Sequence, residues 1–68
     1  MKRYWLVTTS YQRAGVHAHP VVYNNVTQDH PAVFLRRLID EWPELGYRLL
    51  FAIEIDEEQY LALDGLVG

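Results

Sequence analysis

The chain has no cysteine. Disulfide staples and thiolate metal sites are therefore excluded, and the fold must rest on its own core or on a partner. No apolar run approaches the roughly 20 residues of a membrane-spanning helix. After Met1-Lys2-Arg3 the apolar stretch turns polar again at Thr8-Thr9-Ser10, which is too short for a signal-peptide core. A soluble, cytoplasmic protein with no membrane contact is expected. Cations are also scarce, six Lys and Arg against nine Asp and Glu, for a formal charge of −3. Surfaces that contact phosphates need clustered Lys and Arg, so direct nucleic-acid binding is not expected, and the sign of the charge points to a partner with a basic surface. Repeats, linkers, low-complexity segments and catalytic or cofactor motifs are absent.

What remains suffices for one small domain, residues 1–68, burying only about 60% of the surface of its unfolded chain. The strongest β signal is Tyr47 to Ile55. Tyr47, Leu49, Phe51, Ile53 and Ile55 alternate with Arg48, Leu50, Ala52 and Glu54, which predicts one apolar face and one mixed face. Arg3 to Tyr11 reads as a strand with apolar bulk on both sides, hence central in a sheet. Gln12 to His19 is a connection. Val21 to Val26 is a short edge strand interrupted by Asn24-Asn25.

Asp29-His30-Pro31 marks a helix start. Phe34, Leu35, Leu38, Ile39 and Trp42 form the arc expected to cover the Tyr47–Ile55 strand, with Phe51 and Trp42 as core aromatics. Arg36 with Asp40, and Arg37 with Glu41, have the spacing to pair on the opposite side. Pro43 is expected to stop the helix and Gly46 to permit the turn into the next strand. Asp56 and Gln59 stand at capping-box spacing for a second helix through about Leu63, closed by Gly65. The predicted class is α+β: a two-layer ββαβα arrangement with a three-stranded, mainly antiparallel sheet in order 2-1-3 and both helices on one face. The other face, bearing Leu50 and Ala52, is expected to be open.

Three site types are considered and set aside. His17, His19 and His30 include imidazoles for a metal, but zinc needs three or four ligands in near-tetrahedral geometry. Their roles as loop and cap residues are the simpler reading. Ser10, His17 and Asp29 are the residue types of a hydrolytic triad, without the Gly-rich nucleophile turn. Tyr4, Trp5, Tyr11 and Tyr23 invite comparison with an RNA-stacking platform, which would need basic residues around it. No catalytic, cofactor or metal residue is assigned, and a non-enzymatic role is expected.

The acids carry the functional expectation. Glu57 and Glu58 fall in a first helical turn, where the helix dipole favours them, whereas Asp40, Glu41 and Glu44 fall at a helix C-terminus, where it does not. Glu54, Asp56, Glu57 and Glu58 form one candidate partner-binding group, and Asp40, Glu41 and Glu44 a second. On these residues with Asp64, and in being tiny, acidic and cysteine-free, the chain resembles the small anti-CRISPR inhibitors encoded by phages. The resemblance implies an inhibitor that binds a host nucleic-acid-handling complex, a protein or ribonucleoprotein with a basic surface, and blocks its basic groove, in some members by mimicking the phosphate row of DNA. A monomer is expected rather than a dimer. The alternative is a small structural or regulatory subunit that self-associates through its open sheet face.

Overall fold

The computed structural model describes residues 2–13 and 19–66. Its elements are β1 (Tyr4–Arg13), β2 (Val21–Thr27), α1 (Pro31–Glu41), β3 (Leu45–Ile55) and α2 (Glu57–Leu63). β1 is central and antiparallel to both neighbours, giving the order β2-β1-β3. The α+β class, element order and sheet order are those predicted. Asn24 and Asn25 do not interrupt β2, for they pair with Thr8 and Val7, and the Thr8 hydroxyl donates to Asn24 Oδ1 at 2.6 Å.

The alternation expected along β3 is broken by a β-bulge. Thr8 pairs with Phe51 while its neighbour Thr9 pairs with Leu49, leaving Leu50 as the extra residue. Paired residues on antiparallel strands share a face, and one inserted residue exchanges the faces beyond it. Phe51, Ile53 and Ile55 therefore lie with Thr8, Leu6 and Tyr4, whereas Leu49 and Tyr47 lie with Thr9 and Tyr11. The single apolar face predicted for Tyr47–Ile55 is divided between the two sides of the sheet.

The helices are divided as well, which corrects the two-layer arrangement. Trp5 meets the His30 ring edge-on at 5.5 Å, and Trp42 borders the same depression as Tyr11, Tyr23 and Tyr47. Both ends of α1 thus lie on the Trp5–Val7–Thr9–Tyr11 face. Tyr60 of α2 packs on Tyr4 at 4.8 Å, and Tyr4 points to the opposite side because adjacent strand residues alternate.

The helix boundaries follow from local chemistry. His30 Nδ1 accepts from the Ala32 amide at 3.1 Å, and Pro31 fills the first helical position, where no amide is needed. Trp42 closes α1 by donating its backbone N–H to the Leu38 carbonyl at 2.9 Å, just before Pro43. In α2 the Asp56 carboxylate accepts from the Gln59 amide at 2.7 Å, and the Gln59 side chain accepts from the Asp56 amide at 3.1 Å. Gly65, at φ 86°, ends the turn after it in a conformation that favours glycine. Gly46 has no positive φ and lies inside β3 opposite Gln12, so the turn after α1 does not depend on it.

Little of the chain is buried. Among the described residues Val7 is the one fully buried hydrophobic, joined by Thr9, Ser10 and Thr27. Phe51 and Trp42, expected in the core, are 54% and 49% exposed. Phe51 is turned away from α1 by the bulge, and Trp42 stands at the helix end.

Candidate functional site

The face that carries Tyr4, Leu6, Thr8 and Ser10 of β1 continues through Val22, Asn24 and Val26 of β2 and Arg48, Phe51, Ile53 and Ile55 of β3. These strand positions include no carboxylate. α2 covers the Tyr4 end by the contact of Tyr60, and beyond it Val22, Phe51 and Ile53 are 55%, 54% and 46% exposed. Leu50, in the bulge, is exposed too. Phe51 and Ile53 are adjacent on this face of β3, and Val22 stands two strands away across Ser10 and Thr8 of β1. Sequence reasoning expected an open face but assigned it Leu50 and Ala52. A bulge cannot be located by alternation alone, and alternation places Phe51 and Ile53 on the covered side.

The acidic residues form two separate groups. Glu44 precedes β3 and Glu54 is its penultimate residue, so at about 3.3 Å per residue they stand roughly 30 Å apart. Several are already engaged. Asp40 pairs with Arg36 at 3.4 Å and Glu54 with Arg3 at 3.5 Å, while Asp56 caps α2. Arg37 does not meet Glu41 as its spacing predicted. It reaches back to Asp29 at 2.7 Å. Glu57 and Glu58 occupy the first turn of α2, and they, Glu41 and Glu44 are exposed.

On the α1 side, Tyr11 stacks on Tyr23 at 5.6 Å and meets Tyr47 at 5.4 Å. With Trp42 and Leu45 they line an open depression of about 310 Å³. A hydrogen bond to Tyr23, with desolvation second, holds the Tyr11 phenol above its ordinary pKa. Burial, then the nearby Tyr23, Glu41 and Glu44, raises that of Tyr47. These rings pack between the end of α1 and the sheet. A second depression of about 250 Å³ is bordered by Lys2, Arg3, Trp5, Gln28 and His30.

His17 lies outside the described residues, so the histidine and triad geometries that include it have no structural description. Among the described residues no group of three or more His, Cys, Asp or Glu is placed to hold a metal. His30 is occupied as a helix cap. No helix among the described residues is long and apolar enough to cross a membrane. No family model, no curated protein and no solved structure matches this chain.

Proposed function

We propose that the protein is a non-catalytic protein-binding module whose recognition surface is the open sheet face. The observation that carries this reading is the exposure, about one-half each, of Phe51 and Ile53, neighbours on β3, and of Val22 on β2, on a face whose strand positions carry no carboxylate. At about 25 cal/mol per Å² of apolar surface, covering such a patch is a larger source of binding free energy than exposed charges, whose pairs contribute roughly 0–1 kcal/mol each. The acidic groups then act at the rim, where charge sets the orientation of the contact.

Groove-blocking by the acidic residues, as in the inhibitors the sequence resembles, is less favoured. A phosphate mimic presents its charges in one row, and here they stand in two groups roughly 30 Å apart with Asp40, Glu54 and Asp56 engaged. Affinity capture from the source cells with three immobilised baits separates the readings. Binding lost with Phe51→Glu and kept with the pair Glu57→Lys and Glu58→Lys supports the sheet face. The opposite pattern overturns it in favour of the acidic surface.

A further inference from the structure

We propose that the open sheet face is the interface of a two-fold homodimer, in which two copies pack sheet to sheet and each copy's α2 covers the Val22–Arg48 end of the other's sheet. The proposal rests on the sheet face being the recognition surface and names its occupant. It departs from the monomer expected from the sequence.

Area is the first ground. A folded monomer of this mass exposes roughly 4,450 Å², and this chain exposes 5111 Å². The surplus of about 650 Å² is close to the roughly 800 Å² that each partner contributes to a standard interface. The radius of gyration agrees, at 12.7 Å against about 11 Å for a compact chain of this length. Surface of this order is available to a second copy, and the exposed Val22, Phe51 and Ile53 place part of it on the open sheet face.

Shape sets the symmetry. α2 stands on the face at the Tyr4 end, while at the other end Val22 and Arg48 are exposed, with Ser10 buried between them. A two-fold axis along the strands would set α2 against α2 and hold the sheets apart. An axis across the strands, in the plane between the sheets, places each α2 at the Val22–Arg48 end of the other copy. Val22, Phe51 and Ile53 are then free to close to the roughly 10 Å separation of packed sheets. This is an isologous contact, closed at two copies.

Charge agrees with the same axis. The rotation keeps β3 over β3, reversed, so the Ile55 end of one lies at the Leu45 end of the other. Glu57 and Glu58 come beside Arg48 of the second copy. Arg48 has no ion-pair partner among the described residues and is the one cation on this face. Glu44 comes to the same end, so Arg48 is the group that offsets the acids there. A partner with a basic surface fits the face less well, because the face offers it no carboxylate.

Sedimentation equilibrium of the full chain through the micromolar range is the test, with circular dichroism to verify folding of each variant. The expected result is a dimer that Ile53→Glu weakens by roughly a hundredfold or more, since it puts an unpaired charge into an apolar contact. Arg48→Glu is expected to weaken it about tenfold, and adding Glu57→Lys with Glu58→Lys to Arg48→Glu to restore most of the loss. A dimer that Ile53→Glu leaves unchanged overturns the proposal, and the three-bait capture then decides the sheet-face reading separately. A monomeric parent chain overturns the second copy alone, leaving the face to a different protein as read by the three-bait capture. If Ile53→Glu does not fold, the charge exchange decides, because all three of its positions are exposed. Failure of the reversal to restore association counts against the proposal.

Discussion

Truncating Phe51 distinguishes a core residue from an interface residue. In a core, Phe→Ala costs about 3–5 kcal/mol, nearly the whole stability of a domain this small, and cooperative folding would be lost. In the structure 54% of the residue is exposed. A phenylalanine offers about 200 Å², so roughly half, about 100 Å², is covered within one copy and the rest only on association. At about 25 cal/mol per Å², removing the ring costs the isolated fold about 2 kcal/mol. It costs the two-copy contact about 3–4 kcal/mol once the surface retained by alanine is allowed for. The second figure is two to three powers of ten in Kd. Thermal melts at increasing protein concentration read both effects. The parent Tm should climb with concentration, as mass action requires. Phe51→Ala should melt cooperatively about 10 °C lower, with a Tm that no longer depends on concentration. A variant that is unfolded at every concentration would refute the reasoning, and so would one that keeps the parent's concentration dependence.

Other perturbations probe the remaining features. Val7→Ala, at the one fully buried hydrophobic, should cost about 2–3 kcal/mol, shown by urea melts, and should leave association of the folded fraction unchanged. Asp56→Ala removes the α2 cap and should cost about 1 kcal/mol, with α2 amides showing the loss first in hydrogen exchange. The raised pKa of Tyr11 and Tyr47 means that the folded state holds phenolic protons longer than the unfolded chain. Their contribution is complete below about pH 10 and is lost as pH rises through the higher folded values. Stability followed from pH 8 to 11 (about neutral to alkaline) should fall more shallowly in the double variant Tyr11→Phe, Tyr47→Phe than in the parent.

The legible parts of the fold are those written in local chemistry. Pro31 after His30, and Asp56 with Gln59, mark helix starts by residues whose side chains satisfy free amides, and both appear as read. β1 was placed at the centre because its two sides are both apolar, and it is central. What failed was periodicity carried across Leu50, since nothing local distinguishes a bulged leucine from a paired one. From that one residue come the misplacement of Phe51 and the assignment of both helices to one face. Arg37 likewise had two carboxylates within reach, Glu41 four residues on and Asp29 eight back, and spacing rules see only the first. At the candidate site the acids were legible as residues. Their separation by the length of β3 became clear only with the topology.

Isotope-filtered NOE spectroscopy on an equal mixture of labelled and unlabelled chains tests the central claim most directly. The account predicts intermolecular contacts from the methyls of Ile53 to the Phe51 ring. Intermolecular contacts confined to residues around Glu41, Glu44 or the outer side of α1, or none under conditions where the chain is dimeric by mass, would contradict it.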